Sequence, residues 1–149
     1  MRHWLMKTEP TTFSIDDLAA RKVEPWDGVR NYQARNFLRE MRRGDGVLIY
    51  HSSCAVPGVA GIAMVAGAPK PDPTQFDPDN GHFDSASDPD DPRWSLVEVR
   101  LVRKLERVIT LDEIRTLHGL GDFPLIRRGN RLSVLPVSEA QWNAILDLE

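Results

Sequence analysis

From Asn31 to Arg43 the apolar residues Ala34, Phe37, Leu38 and Met41 fall at i, i+3, i+4 and i+7, which places them on one face of a helix. Arg35, Arg39 and Arg42 fall on another face, and Gly44-Asp45-Gly46 stops the helix. Short apolar runs at Arg2–Met6, Val47–Tyr50 and Gly58–Ala68 read as strands, the last two separated by a turn at Pro57. In Trp94–Leu105, Val97, Val99 and Leu101 alternate with Glu98 and Arg100, the period of a half-buried strand. Three capping boxes, at Ser14–Asp17, Thr110–Glu113 and Ser138–Gln141, each open a short helix. A turn is expected at Pro25–Gly28, and Arg131–Val137 reads as a strand edged by Pro136. Strands interleaved with short helices predict an α+β fold: a small barrel of about five to six strands with peripheral helices.

One segment interrupts this texture. Pro69–Pro92 is dense in proline and aspartate and poor in apolar residues, so it cannot bury itself. Lying between two strand-like runs, it is expected to be a long acidic loop within a single domain spanning residues 1–149. Little regular structure is expected there, with Phe76 and Phe83 as its anchors.

Composition narrows the function classes. No apolar run approaches the roughly 18 residues of a membrane span, and Met1-Arg2-His3-Trp4 has no signal-peptide pattern, so a cytoplasmic, or in a eukaryote nuclear, protein is expected. A single cysteine, Cys54, excludes an internal disulfide and a cysteine-rich zinc module. The net charge of −3 matters more, because proteins that grip many phosphates are usually basic. Any affinity for nucleic acid must come largely from a pocket.

The candidate chemistry is sparse. His51-Ser52-Ser53-Cys54 lacks the further ligands a metal needs and the orienting partner a nucleophile needs, and reads as a pocket-lining histidine beside a buried cysteine. Asp77, Asp79, Asn80 and Gly81 break the ligand alternation of a calcium loop. Gly119-Leu120-Gly121 lacks the remainder of a dinucleotide fingerprint. No cofactor and no metal is expected. Trp26–Asn36 differs, since it sets an aromatic ring, a glycine, an arginine and several amides at a helix start, where free backbone N–H groups favour anions. Those residues fit a nucleotide site and fit equally a helix start with Trp26 in the core. Trp4 and Trp94, as strand residues, read as core, and Lys7 with Glu9 as an exposed pair. The arginines at 30, 35, 39, 42 and 43 form either a phosphate-holding patch, with Arg35 and Arg39 as contacts, or a solvated helix face.

Taken together, Trp4–Pro10, Trp26–Asn36, Tyr50-His51-Ser52, Pro57–Gly61, Pro73–Asp77, Pro92-Arg93-Trp94 and Arg131–Val134 give the chain an end-to-end resemblance to the EVE domain family. The resemblance implies a PUA-like barrel, similar to YTH domains, and a non-catalytic protein, expected to be monomeric, that binds a modified base in DNA or RNA. By comparison with YTH domains, Trp26 and Trp94 would sandwich the base. Lys7, Thr8 and Glu9 would form the rim, Asp27, Gly28, Val29, Arg30 and Asn31 the wall, and Tyr50, His51 and Ser52 the far side. Phe83 departs from the family pattern, where tyrosine often follows the histidine matching His82. The expectation tested below is that Trp26, Trp94 and His51 line one cavity, with Lys7, Asp27 and Asn31 as its polar contacts. The alternatives are a nucleotide-acting enzyme using His51 with Glu9 or Asp27, and a protein-interaction module built on the acidic loop.

Overall fold

A computed structural model describes residues 1–149. Eight strands and four helices follow in the order β1 (His3–Thr8), α1 (Ile15–Arg21), β2 (Val23–Pro25), α2 (Tyr32–Glu40), β3 (Gly46–His51), β4 (Gly58–Val65), β5 (Lys70–Pro71), β6 (Ser95–Leu96), β7 (Glu98–Thr110), α3 (Leu111–Arg115), β8 (Val134–Val137) and α4 (Glu139–Leu146). Six strands form one sheet in the order β2-β7-β4-β3-β1-β8, curled into a half-barrel, while β5 and β6 pair by themselves. The α+β, PUA-like architecture is therefore the one expected.

The capping boxes at Ser14, Thr110 and Ser138 all form and open α1, α3 and α4. Helix α2 stops at Glu40, three residues before the expected Arg43. The cause is Asp45: its buried carboxylate accepts the Arg42 N–H at 3.0 Å and draws the chain out of the helix, while also accepting the Trp4 indole N–H at 3.0 Å. Trp4 is wholly buried, as a strand tryptophan should be.

The long strand β7 continues five residues beyond the expected Leu105. Val97 lies just before it, Val97 and Val99 are buried, and Leu101 is only half-buried. The alternation fails after Leu101 because the pairing with β4 slips there: Ala63 faces Leu101 but Ile62 faces Arg103, so Val102 bulges outward at 55% exposure. Strand β8 starts at Val134 and not at Arg131, because the Asn130 side chain accepts the Leu132 N–H at 2.9 Å and turns the chain. It is an edge strand, which is where Pro136 is tolerated. On β4, Gly61 admits helix α1, since a Cβ there would stand 2.3 Å from Ile15 Cδ1.

Regular structure in residues 69–92 is limited to β5, a 3-10 turn at Pro73–Phe76 and an isolated bridge between Asp88 and Asp91. Its anchors are not the aromatic ones expected: Phe83 is 43% exposed and Phe76 half-buried. The segment buries Asp72, Gln75 and Ser87 instead. Gln75 donates to the carbonyls of Asp72 and Trp94 and accepts from Ser87 Oγ and the Trp94 N–H. With few apolar groups to offer, the loop is held by polar groups that satisfy one another. No buried side-chain polar atom in the molecule lacks a partner.

Candidate functional site

At the carboxyl end of β1 a cavity of about 320 Å³ opens between the turn leading into α1, the end of β2 and the acidic loop. Its walls are Lys7, Thr8, Thr12, Phe13, Glu24, Pro25, Trp26, Asp27 and His82. This is within the size range of small-ligand sites.

Local folding explains how these side chains converge. Strand β1 delivers Lys7 and Thr8. The Glu9 carbonyl accepts the N–H groups of Thr12 and Phe13, and Thr8 Oγ1 donates to the Phe13 carbonyl at 2.7 Å. This tight turn presents Phe13 edge-on to Trp26, with ring centres 5.9 Å apart at 86°. The Trp26 N–H is hooked to the Val97 carbonyl at 2.8 Å. Gly28 then reverses the chain with φ +81°, and the His82 ring packs so closely that a Cβ on Gly28 would lie 2.7 Å from it.

The wall and the acidic loop are one unit. Asp72, whose side chain is wholly buried, accepts from the Gly28 N–H at 2.8 Å, Arg30 at 3.0 Å, the Thr74 N–H at 2.8 Å and Thr74 Oγ1 at 2.6 Å. Arg30 also donates to Thr74 Oγ1 and twice to the His82 carbonyl. Burial alone would push the Asp72 carboxyl upward, but the hydrogen bonds from Thr74, Gly28 and Arg30 outweigh it and hold the group below its ordinary pKa.

Two ionisable groups inside the cavity are shifted toward neutrality. Burial lowers the Lys7 ammonium, which lies 5.8 Å from the centre of the Tyr50 ring. Burial first, then the charge of Asp72, raises Asp27, with His82 and Arg30 opposing. The cavity therefore offers a cationic donor, a carboxyl group and an aromatic wall to one planar ligand with a polar edge.

The expected site residues separate into those that line this cavity and those that support it. Lys7, Thr8, Trp26 and Asp27 line it. Val29 and Tyr50 are buried, and Asn31 caps α2 by accepting the Ala34 N–H. The Ser52 N–H donates to the Thr8 carbonyl, while Glu9 is exposed and outside the lining. His51 is not in the cavity wall. Its Nε2 accepts the Ile15 N–H at 3.1 Å at the first turn of α1, and burial lowers its pKa, with Lys104 lowering it further and Asp16 opposing. Cys54 is half-buried, not buried as expected.

Trp94 also stands apart from the cavity. It is 5% exposed, donates its indole N–H to Asp84 at 2.7 Å, and is stacked by Tyr32 with centres 5.0 Å apart at 25°. The ring set against Trp26 is that of Phe13. Arg35 and Arg39 clamp the end of the acidic loop: Arg35 donates to the Arg93 carbonyl, and Arg39 to Ser95 Oγ and the carbonyls of Pro92 and Arg93.

Phe13, Thr12, Glu24, Pro25 and His82 were not among the expected lining residues. Phe13 immediately precedes the Ser14 cap, a position where an apolar side chain commonly packs back on the helix, and this is the one local signal for it. Asp72 carries no signal beyond its place in the loop, and His82 only its match to a histidine of the family pattern. No group of three or more His, Cys, Asp or Glu side chains is arranged to hold a metal ion, and no helix is long and apolar enough to cross a membrane.

Comparison with known proteins agrees with this fold throughout. Human thymocyte nuclear protein 1 is 42% identical over 166 residues, covering 99% of this chain and 73% of the relative. A crystal structure of a protein from Pseudomonas putida is 48% identical and superposes with a TM-score of 0.95, covering 98% of each chain. The human THYN1 protein crystallised in complex with 5-methylcytosine-containing DNA is 41% identical, with a TM-score of 0.94 over 99% of this chain and 97% of that one. The family model of the EVE domain matches residues 2–148, and the chain belongs to the EVE domain family.

Proposed function

We propose that this protein is a non-catalytic reader that takes one modified base of DNA, of the 5-methylcytosine type, into the cavity walled by Trp26. The cavity carries the proposal, because it combines aromatic rings with the Lys7 and Asp27 polar groups in a space of about 320 Å³. The human THYN1 complex with 5-methylcytosine-containing DNA supports the choice of ligand.

A base reaches such a site from a single strand or by flipping out of a duplex, which costs a few kcal/mol. Stacking on an aromatic wall returns roughly 1–3 kcal/mol. The Asp27 carboxylate suits the exocyclic amine of cytosine, a pairing that discriminates by about 1–3 kcal/mol. Lys7 suits a carbonyl or ring-nitrogen acceptor. Thr8 serves as an acceptor only, since its hydroxyl proton is committed to Phe13. A non-catalytic role is favoured because His51 Nε2, the nitrogen a general base would use, is occupied by the Ile15 N–H. The reader acts as a monomer in the cytoplasm, or in the nucleus of a eukaryote.

Fluorescently labelled oligonucleotides bearing cytosine, 5-methylcytosine or 5-hydroxymethylcytosine, single-stranded and duplex, test the reading. Tighter binding of one modified form, with the oligonucleotide mass unchanged after incubation, is the expected result. Equal affinity for all forms, or conversion of the base, would overturn it.

A further inference from the structure

We infer that the phosphodiester backbone flanking the bound base lies across the loop between α3 and β8, on Arg128 and Arg131. This inference rests on the base-reading role proposed above and adds the surface that holds the strand.

The loop adjoins the cavity. The Lys7 N–H donates to the Ser133 carbonyl at 2.8 Å, so the segment carrying Arg131 runs beside the same end of β1 that delivers Lys7 and Thr8. Its tip is fixed: the Asn130 N–H closes a turn onto the Arg127 carbonyl at 3.2 Å, and the Asn130 side chain accepts the Leu132 N–H. Phe123 and Leu125 on one leg and Leu132 on the other are buried in the core. Arg128 and Arg131 are exposed on this pinned tip, and neither guanidinium has an acidic or hydrogen-bonding partner, whereas Arg127 is paired with Asp122 at 2.7 Å.

Charge selects the same side. Residues 116–133 hold three arginines and one aspartate, while residues 69–92, which supply His82 to the cavity, hold seven aspartates and one lysine. A polyanion entering the cavity is repelled by the second segment and attracted to the first. The arginines of α2 do not offer the same contact, because Arg35 and Arg39 already donate to residues 92–95. Arg42 and Arg43 lie just before Gly46, which pairs with His3 at the opposite end of β1.

The test compares the wild type with the Arg128→Ala/Arg131→Ala double variant, using a single-stranded oligonucleotide with one central 5-methylcytosine and its unmodified twin, between 50 and 200 mM salt. Two lost phosphate contacts should make the slope of log affinity against log salt shallower by about 1.4, so that the variant loses about 7-fold less affinity than the wild type across that range. The preference for the modified strand and the melting temperature should be unchanged. An unchanged slope with methyl preference retained overturns the inference and leaves the base-reading role standing. A slope that falls in the Arg35→Gln/Arg39→Gln variant but not in Arg128→Ala/Arg131→Ala also overturns it. A shallower slope with no methyl preference in the wild type upholds the backbone contact and overturns the base-reading role, and a wild type that binds neither strand overturns both.

Discussion

Replacing Asp72 with asparagine should loosen the cavity wall and the acidic loop together, because one carboxylate holds both. Its side chain is wholly buried and that of Arg30 is 21% exposed, so the substitution leaves the guanidinium poorly solvated without its counter-charge. Breaking a buried pair by neutralising one partner costs about 3–5 kcal/mol. The residual exposure of Arg30, and the amide oxygen that still accepts the Gly28 N–H, place the expected loss at about 3 kcal/mol. For a chain of this length that lowers the melting temperature by roughly 6–12 °C. The sign of the pH dependence follows from the depressed carboxyl. Asp72 contributes its stability in full above the ordinary carboxylate value of 3.8 and loses it as pH falls from there through its lower native value, so acid should narrow the gap between wild type and variant. Thermal melts at neutral pH and near pH 3, with oligonucleotide titration at neutral pH, form the assay. A variant that melts with the wild type at neutral pH and binds equally well would refute the claim that Asp72 ties the loop to the site.

Other substitutions separate packing from recognition. Trp26 is 8% exposed and belongs to the core cluster, so Trp26→Ala should cost about 3–5 kcal/mol in a urea melt, whereas Trp26→Phe should keep the fold and weaken modified-base affinity several-fold. Asp27→Asn should leave the melting temperature nearly unchanged, because Asp27 is exposed and its charge faces the like charge of Asp72, and should lose about 1–3 kcal/mol of preference for a cytosine-type base in competition binding. His51→Gln should remove a pH sensitivity. The native imidazole is held neutral below its ordinary value of 6.5, so wild-type stability is present above that pH and declines as pH falls through it, a trend calorimetry should not find in the variant.

What was legible in the sequence was local. The three capping boxes, the α2 stripe and the alternation around Val99 each rest on neighbours within four residues, and all appear in the fold. Boundaries shifted where a polar side chain turned the backbone: Asp45, itself fixed by Trp4 41 residues away, ends α2, and Asn130 delays the start of β8. The three-residue β2 was missed because so short an edge strand has no period to display. The site divided along the same line. Lys7, Thr8, Trp26 and Asp27 lie beside strand ends and line the cavity, whereas His82 enters through a loop whose carbonyl at that residue is held by Arg30, 52 residues away. Trp94 reads as core from its place in a strand and as a stacking ring only through the family resemblance; it is buried and Tyr32 covers its ring, a relation between α2 and the residue before β6 that only the tertiary structure reveals.

The central claim, that the base is held against Trp26, is tested most directly by nuclear Overhauser contacts from the C5-methyl protons of a single 5-methylcytosine in a saturated complex with isotope-labelled protein. Contacts to the ring protons of Trp26 and Phe13 are predicted. Contacts to Trp94 and Tyr32, with none to Trp26, would contradict the account and move the reading site to the Trp94–Tyr32 pair.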